Sequence, residues 1–387
     1  MLEQGGLILT ALSLAFWVGV VFFRGGFWRA DQRLDESPAD LQRWPGIVCV
    51  IPARNEAGTI GQTVASLLAQ DYPGEVSVIV VDDGSDDGTA AAAGTSERLS
   101  VIRGKALEAG WTGKLWAMKQ GLQEADRTQP SAPFVLLTDA DIVHDPASLR
   151  RLAAKAELDG LDLVSLMVLL RCENFWERFL VPAFIFFFQK LYPFPWVNDP
   201  SRPAAAAAGG CMLVRRRALL DAGGVDAIRG RLIDDCALAA NIKKRGPIWL
   251  GLTEQVRSLR RYDSLAGIWR MVERTAFEQL GNSPLPLIGA VLGMGVAYLV
   301  PPLASAGILG GGWMVMAAGL LTWLGLAGVA YAPTLRLYGL PLGWILALPL
   351  AALLFTLMTL SSAIRHWRGR GSTWKGRSYK ATPMPNG

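Results

Sequence analysis

The hydrophobic pattern divides the chain into two apolar blocks and a mixed middle part. A nearly uninterrupted apolar run covers Leu7–Phe23, and a longer apolar block covers Pro284–Ile364. Between them, short apolar runs alternate with polar, amphipathic stretches. We therefore predict the following parts: an N-terminal transmembrane anchor at residues 1–25, a soluble domain at 44–262, an interfacial helix at 263–284, a C-terminal transmembrane region at 285–365 and a basic tail at 366–387.

The charges around the first apolar run predict its orientation. Only Glu3 carries a side-chain charge before the run, whereas Arg24, Arg29 and Arg33 follow it. A secretory signal peptide shows the reverse order, with a basic start and a cleavage site after the apolar run. Because basic residues favour the cytoplasmic side, we predict an uncleaved anchor whose C-terminal end is cytoplasmic. A buried core helix is the alternative interpretation.

The C-terminal block contains three candidate spans, at Leu285–Leu303, Trp313–Ala332 and Pro341–Ile364. Each approaches the roughly 20 residues that a bilayer requires. A basic tail follows them, with Arg365, Arg368, Arg370, Lys375, Arg377 and Lys380. Three full crossings from a cytoplasmic domain would put this tail on the far side, whereas its charge places it in the cytoplasm. One candidate is therefore expected to be re-entrant or interfacial, and the first is the weakest spanner.

The middle part has the pattern of an α/β domain. Val- and Ile-rich runs predict four strands, at Ile47–Ile51, Val76–Val81, Leu99–Ile102 and Phe134–Thr138. Amphipathic stretches between them predict helices, two of which are Thr59–Gln70 and Trp111–Glu124. Apolar strands separated by helices are typical of a mostly parallel sheet covered on both faces. Ligands of such sheets bind at the carboxyl ends of the strands.

Composition narrows the class of protein. The chain has 387 residues, of which 51% are hydrophobic and 18% charged, and a net charge of +5. This is too apolar for an ordinary soluble protein and for a disordered one. The four cysteines are scattered without a Cys-x-x-Cys pair, which argues against a disulfide framework or structural zinc. Because the basic residues lie at the membrane edges, we expect no nucleic-acid partner.

Two nucleotide-binding signatures are missing. No Gly-x-Gly-x-x-Gly follows the first predicted strand. Gly113-Lys114 superficially resembles a phosphate-binding loop, but Glu108 stands where that motif requires glycine and Leu115 where it requires Ser or Thr. Dinucleotide-binding dehydrogenases and P-loop enzymes are therefore excluded.

Three strand ends carry polar clusters instead: Pro52-Ala53-Arg54-Asn55-Glu56, Asp82-Asp83-Gly84-Ser85 and Asp139-Ala140-Asp141. Carboxylates crowded at one sheet edge repel each other and need neutralisation. Mg²⁺ or Mn²⁺ holding substrate phosphates would supply it. Each cluster alone is equally explained as a turn or a helix cap, but the three together favour a site.

These clusters, together with Leu232-Ile233-Asp234-Asp235, resemble those of a GT-A glycosyltransferase of family 2. Within that family the chain resembles the hopene-associated glycosyltransferases, and more distantly it is similar to ceramide and carotenoid glycosyltransferases. The resemblance covers essentially the whole chain. It implies a Rossmann-like GT-A fold, a UDP-sugar donor, a divalent metal and a membrane lipid acceptor.

For the donor side, the resemblance implies that Pro52, Ala53, Arg54, Asn55 and Glu56 line the nucleotide pocket. Asp82 or Asp83 would bind the uracil, and Lys114 would lie near the donor phosphates.

For the reaction centre, the resemblance implies that Asp139 and Asp141 bind the metal and that Asp235 is the catalytic base. Asp235 would begin a helix that ends at Lys244. The acceptor side would contain Gly209, Gly210 and Asp234. The chemistry fits these residue types, because a carboxylate can take the proton of an attacking hydroxyl. A single in-line displacement inverts the anomeric configuration. The alternative for the Asp234-Asp235 pair is a helix cap.

Two neighbouring residues have simpler expected roles. His144 follows the Asp-x-Asp cluster and is either a ligand or its neighbour, although a loop residue before the next helix is the more ordinary interpretation. Cys211 is expected to be a packed small residue and not a nucleophile.

The chain departs from polymerising relatives, which carry Gln-x-x-Arg-Trp after the base. At the comparable place it has Trp269 to Thr275, so Arg270 or Arg274 is the candidate for a diphosphate contact. Trp374 and Arg377 belong to a basic-aromatic segment that resembles lipid-modifying relatives, or they form a plain interfacial anchor. The missing motif argues against a polymerising enzyme.

An aromatic segment at residues 172–196 predicts where the acceptor enters. It is too short to span and fits an amphipathic element in the bilayer surface. We expect Phe186 and Phe187 to lie on the acceptor side, with packing against the anchor as the alternative.

The sequence thus predicts an inverting, metal-dependent transferase at a bacterial cytoplasmic membrane, with its catalytic domain in the cytoplasm. The alternatives are transfer to polyprenyl phosphate and an inactive membrane scaffold. A transporter is disfavoured, because the apolar segments contain almost no ionisable residues. The sugar, the acceptor lipid, the preferred metal and the oligomeric state are not predicted.

Overall fold

A computed structural model of the chain describes residues 2–37 and 39–369, together with the backbone of 373–374 and 377–378. The chain forms two compact units. The sheet unit comprises residues 31–171, 196–261 and 371–387, and the helical unit comprises residues 1–30, 172–195 and 262–370.

In chain order, the strands are β1 (Ile47–Ala53), β2 (Val76–Asp82), β3 (Leu99–Arg103), β4 (Phe134–Thr138), β5 (Ile142–His144), β6 (Leu163–Leu169), β7 (Cys211–Arg215), β8 (Ile248–Ser258), β9 (Thr373–Trp374) and β10 (Arg377–Ser378). The α-helices are α1 (Leu2–Phe23), α2 (Ile60–Leu68), α3 (Thr89–Ala92), α4 (Gly113–Thr128), α5 (Ser148–Leu158), α6 (Phe175–Leu191), α7 (Phe194–Asn198), α8 (Arg216–Asp221), α9 (Asp234–Lys243), α10 (Leu265–Glu273), α11 (Pro284–Met294), α12 (Val300–Ser305), α13 (Gly312–Leu320), α14 (Gly328–Leu337) and α15 (Leu348–Trp367). Short 3₁₀ turns cover Phe27–Arg29, Val225–Ile228, Glu278–Leu280 and Leu342–Ala347, and π-helical turns cover Gly295–Leu299 and Leu321–Ala327.

The sheet unit is built on one sheet with the strand order β3-β2-β1-β4-β7-β6-β8-β5. The pairs β3–β2, β2–β1, β1–β4 and β6–β8 are parallel, whereas β4–β7, β7–β6 and β8–β5 are antiparallel. The prediction of an α/β fold with a mostly parallel sheet is confirmed. Its parallel half, β3 to β4, ends in all three polar clusters.

The predicted strands agree with the structure in position. Phe134–Thr138 has the predicted bounds, and the second and third strands each extend one residue further. The predicted end of the first strand at Ile51 is wrong, because β1 continues through Pro52 to Ala53 and pairs with β2 there. Pairing with β4 ends at Val50, so the missing N–H of Pro52 leaves no gap in that ladder.

The core of the sheet unit explains why these strands form. Every residue of β1 and of β4 is buried, and β2 is buried except for one position. Helices α2 and α5 add Ile60, Val64, Leu67 and Leu152 to the same apolar cluster. Continuous apolar strands are stable only when helices cover both faces. This packing fixes the carboxyl ends of β1, β2 and β4 at one edge.

In the helical unit, four helical segments among the described residues are long and apolar enough to cross a membrane: Glu3–Phe23, Pro284–Ser305, Gly312–Leu337 and Leu342–Trp367. All four candidate regions seen in the sequence therefore fold as long apolar helices. The expected interfacial helix corresponds to α10, which ends at Glu273, followed by a turn before α11 begins at Pro284.

The packing of helix α6 differs from the predicted acceptor-side surface. Phe186 is fully buried, with its ring 6.5 Å from that of Trp17 and 5.2 Å from that of Tyr331. Phe187 packs against Tyr298 and Phe355. The prediction that Phe186 forms an acceptor-side surface is wrong, because the side chain is enclosed by aromatic rings of its own unit. The alternative, packing against the anchor, describes it.

Candidate active site

The loops after β1 and β2 are bonded to each other. Arg54 Nη1 donates hydrogen bonds to the carbonyl oxygens of Asp83 and Gly84. The backbone N–H of Asn55 donates to Ser85 Oγ at 3.0 Å, and Asn55 has a positive φ of 51°. Asn tolerates this left-handed conformation better than most residues do. The first two predicted clusters therefore form one structure.

The two acidic residues after β2 differ in their surroundings. Asp82 Oδ1 accepts a hydrogen bond from Ser85 N at 3.1 Å, which stabilises the turn. Asp83 is 1% exposed, and its N–H donates to the carbonyl of Ala53 at 2.9 Å. Gly104 lies close to them, since a Cβ there would lie 3.2 Å from the carbonyl oxygen of Asp82. The assignment of either carboxylate to uracil stays a prediction.

The third cluster follows β4 directly. Asp139 has 37% of its side chain exposed, whereas the side chain of Asp141 is 9% exposed. Asp141 accepts a backbone hydrogen bond from Leu259 at 2.7 Å, because β5 pairs with the end of β8. The same pairing brings Arg260 Nη1 to 3.8 Å from Asp141 Oδ2. The Asp-x-Asp cluster is thus held between two strand ends.

Lys114 joins the third cluster to the candidate base. It lies in the first turn of α4, which begins after the N-cap Thr112. Its Nζ atom is 2.9 Å from Asp139 Oδ1 and 3.4 Å from Asp234 Oδ2. Burial by itself would lower the pKa of this ammonium, but Asp139 and Asp234 outweigh burial and raise it above its usual value. Lys114 is therefore a permanent positive charge among carboxylates.

Asp235 lies at the start of α9, as the sequence predicted within one residue. Its Oδ2 accepts a hydrogen bond from Gly209 N at 2.9 Å, and its Oδ1 accepts one from Cys236 N at 2.7 Å. A Cβ on Gly209 would lie 3.1 Å from Lys114 Nζ and 3.4 Å from Asp235 Oδ2. Gly209 therefore allows the loop before β7 to touch both the lysine and the candidate base.

The environment of Asp235 changes its acidity. Burial and the neighbouring carboxylate of Asp234 raise the pKa of Asp235 to about 6, although Lys114 acts in the opposite direction. A carboxylate with a pKa close to the operating pH is a better general base than an ordinary aspartate with a pKa of about 4. Perturbed carboxylates of this kind are concentrated at functional sites.

His144 has a structural role beside the cluster. It ends β5, is 2% exposed, and its Nε2 lies 3.1 Å from Thr138 Oγ1. Thr138 donates its single hydroxyl proton to the carbonyl of Gly210 at 2.7 Å, so His144 Nε2–H donates to Thr138. Burial lowers the pKa of His144 to about 4. The loop interpretation is wrong, because His144 belongs to strand β5. Its neutral ring contacts Thr138 at the end of β4, and Thr138 in turn contacts Gly210. Cys211 is fully buried, as expected.

The residues present fit a divalent cation that is shared with a substrate. Among the described residues, no three His, Cys, Asp or Glu side chains are grouped to hold a metal by themselves. Mg²⁺ in phosphate-transferring sites uses only one or two carboxylates, and the substrate phosphates supply further ligands. Asp139 and Asp141 offer two carboxylates, and each already faces a cationic side chain.

Several sequence predictions fall outside this cluster. Arg270 and Arg274 are exposed on the helical unit, at α10 and its C-cap. The side chains of Trp374 and Arg377 lie outside the described residues, although their backbones pair in the β9–β10 hairpin. Their proposed diphosphate contacts stay predictions.

Arg260 was not predicted. No motif surrounds it, and only the antiparallel pairing of β5 with β8 brings it to Asp141. The available signal was its place in a basic run, Arg257 to Arg261, before the return to the membrane region.

The chain is similar in sequence to known glycosyltransferases. The profile of Glycosyl transferase family 2 matches residues 48–222. The chain is 28% identical over 134 residues to a poly-beta-1,6-N-acetyl-D-glucosamine synthase of Staphylococcus epidermidis, covering 35% of this chain and 31% of that protein. It is 32% identical over 153 residues to an N-acetylglucosaminyltransferase of Azorhizobium caulinodans, covering 38% and 37%.

A third relative is the 4,4'-diaponeurosporenoate glycosyltransferase of Staphylococcus aureus, 32% identical over 117 residues, covering 30% of this chain and 28% of that protein. The chain therefore matches about a third of the length of these relatives.

The fold is also similar to a solved structure. The mannosyltransferase PcManGT from Pyrobaculum calidifontis, solved with GDP-Man and Mn²⁺, superposes with a TM-score of 0.53 at 18% identity, covering 91% of this chain and 99% of that one. At this identity the likeness concerns the fold. Residues 48–222 thus match the profile of Glycosyl transferase family 2, and the sheet unit has a GT-A-like α/β fold.

Proposed function

We propose that the chain is an inverting, metal-dependent glycosyltransferase that moves a sugar from a UDP-sugar to a membrane lipid. The observation that carries the proposal is the contact of Lys114 with Asp139 and Asp234, beside the half-buried Asp235. This arrangement combines a phosphate-binding cation, a metal-binding carboxylate and a general base within one cluster.

The reaction assigns a task to each group. The acceptor hydroxyl attacks the anomeric carbon while the bond from that carbon to the diphosphate oxygen breaks. Asp235 takes the hydroxyl proton, and its raised pKa suits this task. UDP leaves with the bonding electron pair. One displacement on one face inverts the anomeric centre.

The leaving group needs positive charge around it. Lys114 and the N-terminus of α4 supply part of that charge, since helix N-termini favour phosphates. Arg260 supplies more, from the side of Asp141. A divalent cation held by Asp139 and Asp141 would stabilise the doubly charged diphosphate electrostatically. The solved relative in fold was crystallised with Mn²⁺ and a nucleotide sugar.

A lipid acceptor is supported by the helical unit, whose long apolar helices suit a bilayer. One sequence relative is named for glycosylating 4,4'-diaponeurosporenoate. Together with the resemblance to hopene-associated enzymes, this leads us to propose a polyisoprenoid acceptor of the hopanoid kind. We place the chain in a bacterial cytoplasmic membrane with the sheet unit in the cytoplasm, because the arginines after α1 favour that side.

The proposal is tested by incubating the purified protein with Mn²⁺, lipid extract of its source cells and a panel of labelled nucleotide sugars. We expect UDP release from one UDP-sugar and label in a neutral polyisoprenoid lipid. Asp235→Asn should abolish the transfer, whereas Asp221→Asn, on the exposed end of α8, should leave it unchanged.

Other outcomes decide between the alternatives. Label in polyprenyl phosphate, with Asp235→Asn retaining most of the activity, would replace the proposal with the phosphate-acceptor enzyme, because that acceptor oxygen is already charged. Absence of release from every donor would identify an inactive scaffold.

A further inference from the structure

The contacts within the helical unit show which way each long helix runs. A Cβ on Gly6 would lie 2.1 Å from the carbonyl oxygen of Leu309, so the start of α1 lies beside the connection after α12. Eleven residues later, Trp17 Nε1 donates to the carbonyl of Ala297 at 2.8 Å. Helix α1 and the segment Pro284–Ser305 are therefore antiparallel. We define the near end of the unit as the end of α1 at Arg24, which leads into the sheet unit.

The next segment, Gly312–Leu337, returns to the near end. It starts at the far end, where a Cβ on Gly319 would lie 2.7 Å from the carbonyl oxygen of Pro301. Near its other end, Thr334 accepts a hydrogen bond from Gln189 at 3.3 Å. The adjacent residue on α6, Lys190, accepts one from Arg24 at 2.7 Å through its carbonyl. Thr334 is thus close to the near end.

The last segment, Leu342–Trp367, begins where the previous one ended. Only residues 338–341 separate it from α14. A Cβ placed on Gly328 would lie 2.9 Å from Cγ2 of Ile345, so the start of this segment runs back along α14. The segment Leu342–Trp367 therefore starts at the near end.

Its C-terminus also lies at the near end. Arg365 Nη1 forms an ion pair with Glu273 Oε2 at 3.2 Å, and Ser362 Oγ donates to the carbonyl of Glu273 at 2.6 Å. Ala363 packs with Leu287, at the start of the segment Pro284–Ser305. Glu273 ends α10, which follows the sheet unit in the chain. Both ends of Leu342–Trp367 thus lie at the near end of the helical unit.

We propose that Leu342–Trp367 is a re-entrant helix, which enters and leaves the bilayer at the near end of the helical unit. The described chain then crosses three times, and Arg368 lies at the same end of the helical unit as Arg24. The sequence had pointed to the first of the three C-terminal candidates, whereas these contacts favour the last. The inference rests on the membrane placement proposed above.

The charge distribution supports the three-crossing arrangement. Arg24, Arg336, Arg365 and Arg368 all come to the near side, and no Lys or Arg occurs in residues 1–23 or in the far connection at 306–311. A fourth crossing would put the basic tail on the far side, against the positive-inside bias.

Single cysteines at three exposed positions and one half-buried position test this with a membrane-impermeant maleimide in right-side-out and inverted vesicles. The variants are Ser37→Cys in the sheet unit, Ile308→Cys in the far connection, Tyr338→Cys and Arg368→Cys. Wild-type protein gives the background, because Cys49, Cys211 and Cys236 are buried and Cys172 is half-buried.

We expect Arg368→Cys and Tyr338→Cys to react from the same side as Ser37→Cys, and Ile308→Cys from the opposite side. If Arg368→Cys reacted from the same side as Ile308→Cys, the re-entrant helix would be refuted, but the membrane placement would stand. Reaction of all four from both sides would overturn the membrane placement as well.

A second measurement needs no substitution. Alkaline phosphatase, which is active only outside the cytoplasm, is fused after Gly387 of the full chain. We expect an inactive fusion in intact cells, with the fusion protein detected by immunoblot. Phosphatase activity comparable to that of a fusion at Ile308 would place the tail on the far side and contradict the inference.

Discussion

The ammonium of Lys114 lies 2.9 Å from a carboxylate oxygen of Asp139. This contact joins the first turn of α4 to the end of β4, two elements that carry unrelated sequence motifs. Because the lysine also contacts Asp234, it neutralises carboxylates that would otherwise repel each other. Its removal should therefore affect both the donor phosphates and the acidity of the base.

Lys114→Met should lower kcat/KM by on the order of tenfold to a hundredfold, about 1.4 to 2.8 kcal/mol. The loss has two causes, a missing phosphate contact and a more protonated Asp235. Lys114→Arg should retain part of the activity because it keeps the charge. Lys155→Met, which removes an ion pair with Asp159 on α5, is the matched control and should leave kcat/KM unchanged. Equal activity of Lys114→Met and Lys155→Met would refute the assignment.

The raised pKa of Asp235, about 6, predicts a pH dependence. A general base acts when deprotonated, so kcat/KM should be flat above that value and fall about tenfold per pH unit below it. Lys114 lowers the pKa of Asp235, so Lys114→Met should move this acidic limb to higher pH. The measurement is a pH–rate profile of both proteins, and an unchanged limb in the variant would contradict the electrostatic coupling.

Gly209→Ala should impair catalysis with little effect on folding. The added Cβ would lie 3.1 Å from Lys114 Nζ, which pushes the end of the lysine away, and 3.4 Å from Asp235 Oδ2, which is an ordinary contact. We expect kcat to fall severalfold while thermal stability stays close to wild type. Gly289→Ala, at a position with open space around the glycine, is the control. A Gly209→Ala variant as active as Gly289→Ala would show that this close approach has no catalytic importance.

Asp141→Asn should weaken metal binding. The carboxylate is nearly buried and lies beside Arg260, and an amide is a poorer ligand for Mg²⁺ or Mn²⁺ than a carboxylate. We expect the metal concentration for half-maximal activity to rise at least tenfold, as measured by titration of a metal-free preparation. Asp221→Asn should leave the titration unchanged. If Asp141→Asn also left it unchanged, Asp141 would not be a ligand.

The sequence predicts the parallel half of the sheet well because β1, β2 and β4 are nearly continuous apolar runs. Strand β4, with the sequence Phe-Val-Leu-Leu-Thr, follows that rule and was predicted with correct bounds. Strands β6, β7 and β8 were not predicted. Leu163–Leu169 is rich in Leu and Met, which suit helices and strands equally, and Cys211–Arg215 pairs antiparallel with distant partners.

The site was predictable to the extent that its residues follow strands directly. Asp139 and Asp141 directly follow β4, so predicting that one strand was enough to place them at the sheet edge. The contact of Gly209 with Asp235 depends on two segments that are 26 residues apart, and Arg260 depends on the pairing of β5 with β8. Phe186 was predicted to lie on a lipid-binding surface but is buried. An aromatic run is equally compatible with a lipid-binding surface and with a packed core.

Asp235→Asn tests the assignment of the catalytic base through two measurements on one preparation. Isothermal titration with UDP and Mn²⁺ reports whether the diphosphate site is intact, and transfer to the lipid extract reports the chemistry. The account predicts UDP affinity within about twofold of wild type and transfer reduced by roughly a hundredfold or more. Wild-type transfer rates in a variant that binds UDP normally would show that another group removes the proton and that the assigned base is wrong.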